Sequence, residues 1–245
     1  MKFITLQLFA LVFVMPFGFT QNSTPGNSSG LTTIFQEDAH AWTAKQKRLI
    51  NRVVKKSEKE VRQLLPGLPG NITVEVHIID RNIDVVGGAT GRTGSNVPPL
   101  LIIEISKVFP GGITAAVNAA LRSTLFHEFH HLARGWAIED NKYGPGISTA
   151  AVNEGLAIVF SEEYTQVKSK ANGYPKEADS WVKEIQALPT DANYHKWMFE
   201  HPDGRTSIGY RAGHFIIRQA MAKSGRDILE LSQYEPEEIL RLAGY

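Results

Sequence analysis

The hydrophobic pattern along the chain changes period twice. Between about 38 and 65 the apolar positions Trp42, Leu49, Ile50, Val53, Val54, Val61, Leu64 and Leu65 recur at steps of three and four. That is the repeat of a helix with one buried face. Asp38 is placed to cap this helix, and Pro66 with Gly67 to stop it. At 72–79 the period falls to two: ITVEVHII alternates and is rich in β-branched residues, which predicts a strand. LLIIEI at 100–105 predicts a second strand, apolar on both faces and therefore more fully buried. Between them VVGGATGRT predicts a short strand over 85–93, whose glycines let another backbone approach closely.

Beyond this point the helical period returns. Helices are expected at about 113–134, 149–163, 176–188, 192–199, 209–224 and 235–243, with Ser148 or Thr149 capping the second. No internal repeat is evident. A small sheet followed by a mostly helical half is an α+β pattern.

The N-terminus follows different rules. Lys2 precedes an apolar run from Phe3 to Phe19, and a polar stretch, QNSTPGNSSG, follows. The run falls short of the ~20 apolar residues of a membrane span. Its layout is that of a cleavable secretory signal, with cleavage after Thr20. The expected organisation is a signal peptide at 1–20, a flexible linker at 21–35 and one folded domain at 36–245. The protein is expected to be exported, periplasmic or secreted, with no membrane attachment beyond the signal. With 0 cysteines there are no disulfides, thiolate ligands, cysteine nucleophile or lipid-bearing cysteine. An exported chain without disulfides points to a bacterial source; the sequons at Asn22, Asn27 and Asn71 would matter only in a eukaryotic secretory pathway.

Charge excludes one class of partner. Lys plus Arg number 26 against 25 Asp plus Glu, so no basic face is built for nucleic acid. The lysine-rich stretch at 45–59 reads as the solvated side of the first helix.

The candidate chemistry lies in FHEFHHLAR, 126–134. His127 and His131 are four apart and share one helix face, so two imidazoles can meet one metal ion. Glu128 sits beside them, within reach of a zinc-activated water, as the general base of an H-E-x-x-H motif. His130 points about 100° away from His131 and is expected to be a neighbour or surface residue. A hydrolytic zinc needs a third protein ligand and an open position. A histidine six residues after His131 is ruled out, because that position is Ala137 and the accompanying glycine slot is Arg134. A glutamate on the following helix is the other solution. Glu154, in the otherwise apolar TAAVNEGLAIVF, is favoured, since a carboxylate there needs a partner. Glu162 and Glu163 are its rivals. Tyr210 and His214 lie four apart near the C-terminus; Tyr210 is the candidate oxyanion donor, and equally a packing residue at a helix start. His195, His201 and His214 are alternatives for that donor. Arg134 and Arg211 are read as helix-end ion pairs.

Together HEFHHLAR, NEGLA and GYRAGHFIIRQAM resemble a family of predicted zinc-dependent proteases of gluzincin type, over about 70–225. The resemblance implies zinc, one ion per chain, on His127, His131 and Glu154, with Glu128 as base. It implies a gluzincin-like zincin fold, a small mixed sheet packed over the active-site helix, and an edge strand, VVGGATGRT, that pairs with an extended peptide substrate. Thermolysin-like gluzincins carry an acidic group four residues after the glutamate ligand; here that position is Ile158. The function expected is peptide-bond hydrolysis of a peptide or protein substrate. The alternatives are a zinc hydrolase of a non-peptide amide or ester, and a non-catalytic zinc-binding secreted module.

Overall fold

The computed structural model describes residues 30–37 and 40–245. The proposed signal, most of the linker and Asp38 lie outside the described residues. The linker assigned to 21–35 ends in structure: Thr32–Phe35 forms strand β1, parallel to β2, Thr73–Ile79. Four residues are too few for a periodic signal, and β1 exists because β2 presents an edge to it.

Helix α1 spans Ala44–Leu64, five residues later than a cap at Asp38 would start it. Thr43 caps it, accepting from the backbone N–H of Gln46 while the Gln46 side chain accepts from Thr43 N–H. The predicted stripe is the buried one, with Ile50, Val54 and Val61 fully covered.

The expected strand at 85–93 begins instead with a 3-10 turn at Asp84–Val86, and β3 runs from Ala89 to Asn96. Strand β4, Pro99–Ser106, completes the mixed sheet in the order β1-β2-β4-β3. β4 pairs parallel with β2 and antiparallel with β3, leaving β3 at an edge. β4 is not buried on both faces as its apolar run suggested: Leu101, Ile103 and Ile105 are covered, while Leu100 and Ile102 are only half-buried. The helices cover one side of the sheet, and apolar residues on the other remain partly open.

Two α-helical segments joined by a π-wound stretch cross the covered face. They are α2, Gly112–Ala116, the π segment Val117–Leu121, and α3, Arg122–Arg134. After a loop come α4, Ile147–Thr165, α5, Ala178–Gln186, α6, Tyr194–Met198, α7, Ile208–Ser224, α8, Ile228–Leu231, and α9, Pro236–Ala243. The short α8, absent from the periodicity, starts at a capping box in which Asp227 and Glu230 bond reciprocally. Helix α4 starts at Ile147 with Gly146 at its N-cap, so neither Ser148 nor Thr149 caps it.

α4 is apolar on all sides because it is central, packed between α3 and α7. Its crossing with α7 is very close. A Cβ on Gly155 would lie 2.2 Å from Gly213 O, and one on Gly213 would lie 1.9 Å from Ala151 O. The glycines of NEGLA and GYRAG are therefore one contact, and it sets how near α7 brings its side chains to those of α4.

Candidate metal centre and its cleft

Three side chains from two helices meet at one point. His127 Nε2 and His131 Nε2 of α3 are 3.0 Å apart. Glu154 Oε2 of α4 lies 3.1 Å from the first and 3.2 Å from the second. The imidazole planes are nearly perpendicular, at 88°. A proton can occupy one edge of this triangle at a time, whereas a cation in contact with all three atoms satisfies them together. Tetrahedral zinc with ligands at about 2.0–2.1 Å separates its donors by roughly 3.3–3.4 Å, close to the observed edges. Two neutral imidazoles and one carboxylate are also a donor set that suits zinc. The group fits, and it is the candidate metal cluster among the described residues.

The electrostatics agree with that arrangement. Burial opposes charge on Glu154, but the two imidazoles outweigh it and hold the carboxyl well below its ordinary range, so it is ionised. His131 is deeply buried, and its Nδ1 has no protein partner. His127 is more open, with 18% of its side chain exposed towards the cleft.

Glu128 lies against the edge strand. Its Oε2 accepts from Thr93 Oγ1 at 3.2 Å, and burial raises its carboxyl above the ordinary value despite the two imidazoles. A Cβ on Gly91 would fall 3.0 Å from Glu128 Cγ. Gly91 of β3 therefore makes room for the protein's own helix, as do the glycines just before the strand: Gly87 sits on Ala120, and Gly88 on Phe109 and Ala116. Thr93 was not singled out from the sequence. Its signal was the alternation Ala89, Gly91, Thr93, small residues at every second position facing α3.

His130 is not on the surface; its ring lies beside that of His131, with 6.3 Å between centroids. It is fully buried, bonds Ser232 Oγ at 2.9 Å and lies over Phe160. Burial and the nearby Arg134 cation keep it neutral. Among the described residues Arg134 has no ion-pair partner. It donates to Asn153 Oδ1, Ser232 O and Tyr234 O, tying the end of α3 to α4 beside Glu154 and to the segment after α8. Arg211 likewise bonds a carbonyl, Gly173 O, at 2.7 Å. The sequence shows arginines near helix ends but not the carbonyls that distant segments bring to them.

The rival acids are engaged elsewhere. Glu162 meets His214 Nε2 at 3.3 Å and Arg218 Nη2 at 2.8 Å, and Glu163 meets Arg218 Nη1. His214 also bonds Asn172 O at 2.9 Å, so it serves this network. His201 pairs with Asp203 and packs on Trp197, and His195 packs on Phe199. Ile158 is buried among apolar side chains, which accounts for the missing acidic partner.

The cluster opens into a cleft of about 620 Å³ between the free edge of β3, α3 and α4. That is within the size range of ligand sites. Tyr210 of α7 is on its wall, brought there by the Gly155–Gly213 crossing. Burial and the Glu154 carboxylate raise its phenol well above the ordinary value, so the hydroxyl keeps its proton and can donate it. Burial, and after it the Glu154 carboxylate, raise the phenol of Tyr194 of α6 as well, a residue the sequence did not flag.

The family model described as "Predicted Zn-dependent protease (DUF2268)" matches residues 50–241. Comparison with curated proteins and with solved structures gives no match. The match covers well over half of the chain and includes the metal cluster, Glu128 and Tyr210, and the chain belongs to this family.

Proposed function

We propose that this member of a predicted zinc-dependent protease family is an exported zinc metallopeptidase that hydrolyses peptide bonds. The observation that carries the reading is the convergence of His127, His131 and Glu154 at 3.0–3.2 Å with the Glu128 carboxylate at the cleft beside them. Those three residues would hold one zinc ion. When bound, zinc supplies the Lewis acidity that makes water a nucleophile and polarises a scissile carbonyl.

The chain's own groups do the rest. Glu128 accepts the proton of the attacking water at its carboxylate and returns it to the leaving amine. Thr93 holds that carboxylate by a hydrogen bond to Oε2, against the strand that borders the cleft. Tyr210 keeps its phenolic proton and is the donor for the developing oxyanion. The free edge of β3 offers backbone groups to an extended peptide, which gives affinity without demanding particular side chains. Export is supported by Lys2 and the apolar run that follows it. Among the described residues, no helix is long and apolar enough to cross a membrane.

Glu128→Gln tests the reading. The variant should bind one zinc per chain and lose peptide hydrolysis by at least a hundredfold, the usual scale of a lost general base. Undiminished hydrolysis by that variant would sink the mechanism. Turnover of simple amides or esters with no peptide cleaved would assign the same centre to a non-peptide hydrolase.

A further inference from the structure

The cleft beside the metal cluster is closed at one end. After α4 the chain turns at Gln166, in the left-handed region with φ 61°, and residues 167–172 fold back along the cleft. Ser169 Oγ donates to Val85 O at 3.3 Å, in the turn just before β3. On the other side Asn172 O accepts from His214 Nδ1 at 2.9 Å, and Gly173 O accepts from Arg211 Nε at 2.7 Å. The segment is thus a strap, fastened to the β3 turn at one end and to α7 at the other.

The distance from strap to cluster follows from the helix beneath. Gly87, next to the strapped turn, sits on Ala120, because a Cβ there would be 2.9 Å from Ala120 Cβ. Gly91 sits over Glu128. Ala120 and Glu128 are eight residues apart, roughly 12 Å along a helix at 1.5 Å per residue. An extended peptide rises about 3.3 Å per residue, so about three residues fit between cluster and strap.

Direction follows from the strand. β3 runs from the strap end towards Thr93, and its one partner, β4, is antiparallel to it. A peptide added to the free edge in the commoner antiparallel sense runs from the cluster towards the strap, so its carboxyl end lies at the closed end. Charge there is complementary on balance, two lysines against the Asp84 carboxylate, with Glu162 held by His214 and Arg218. Lys168 and Lys170 line the strap side of the cleft, and neither is ion-paired among the described residues. Val85 and Val167 expose apolar side chains at the same end, at 66% and 40%. We infer that this site takes the carboxyl-terminal end of a peptide, with at most about three residues beyond the bond to be cut. The inference rests on the peptidase reading above and adds the class of substrate: free chain ends, not the interior of long chains.

The test uses the zinc-loaded full chain with one peptide sequence in three forms: free acid, carboxyl-terminal amide and head-to-tail cycle. Mass spectrometry should show release of fragments of three residues or fewer from the carboxyl end of the free acid, a weaker reaction of the amide and none of the cycle. Binding is read separately with Glu128→Gln by fluorescence anisotropy. The free acid should bind about two- to fivefold tighter than the amide, the scale of exposed ion pairs. Lys168→Glu with Lys170→Glu should remove that difference. Cuts spread through the interior of a long peptide, cleavage of the cycle, or equal binding of acid and amide would each overturn the inference. If the zinc-loaded chain cuts no peptide at all, the peptidase reading fails, and the acid–amide binding comparison still decides the end preference.

Discussion

Replacing Gly213 by alanine should cost stability even though alanine is the better helix former. At an exposed helix position the change would gain about 1 kcal/mol. Here the new Cβ would lie 1.9 Å from Ala151 O and 3.1 Å from Gly155 N. Both are backbone atoms of a buried helix, so neither can swing aside as a side-chain tip would. Restoring van der Waals contact requires α4 and α7 to separate by more than 1 Å. Overpacking of this kind costs about 1–3 kcal/mol, and a rigid backbone contact belongs at or above the top of that range. The expected net loss is about 2 kcal/mol or more, read as a lower denaturant midpoint with an unchanged slope. Tyr210 is one turn before Gly213 on α7 and Glu154 is next to Gly155 on α4, so the same displacement moves the phenol relative to the cluster. Peptide hydrolysis should therefore fall more than zinc affinity, because the ligands come only from α3 and α4. Gly67→Ala is the control: its nearest new contact is Ala133 O at 3.9 Å. A Gly213→Ala variant as stable as the parent, with hydrolysis intact, would refute both the packing argument and the placing of Tyr210.

Other outcomes are expected from the same geometry. His131→Ala should abolish stoichiometric zinc binding, measured by metal analysis after dialysis, because it removes one of three donors that meet within 3.2 Å. Chelation should lower the melting temperature of the parent and leave that variant unmoved, since a ligand at ~1,000 times its Kd adds roughly 4 kcal/mol. Thr93→Val keeps the shape but loses the bond to Glu128 Oε2; kcat/KM should fall about five- to tenfold, the equivalent of one buried hydrogen bond of ~1–1.5 kcal/mol. Glu162→Gln should destabilise by about 1–2 kcal/mol at neutral pH, through its loss of charge-assisted bonds to His214 and Arg218. Burial opposes the Glu162 charge, yet these partners hold its carboxyl below the ordinary 4.5. Its contribution is therefore complete above that value and fades as the pH falls through the lower folded value. Parent and variant should converge on acidification, as followed by denaturation at several pH values.

The sequence by itself determined the helices with long apolar stripes, the two strongest strands, and the chemistry of α3. His127, Glu128 and His131 are local: helix geometry alone puts both histidines on one face. Glu154 was legible for a different reason, as a carboxylate in an apolar helix that requires a partner. The same apolar run ranked it above Glu162 in the sequence; what tertiary structure adds is that His214 and Arg218 already occupy Glu162. β1, too short to carry a period, is decided by the edge that β2 offers. The half-open face of β4 is decided by which side of the sheet the helices cover. His130, Arg134 and Thr93 take their roles from partners 102, 98 and 35 residues away. Spacing rules reach across one turn or one strand. They do not reach across a fold: Tyr210 was a candidate in the sequence, but its place on the cleft wall, the Gly155–Gly213 crossing and the strap came only from the packed chain.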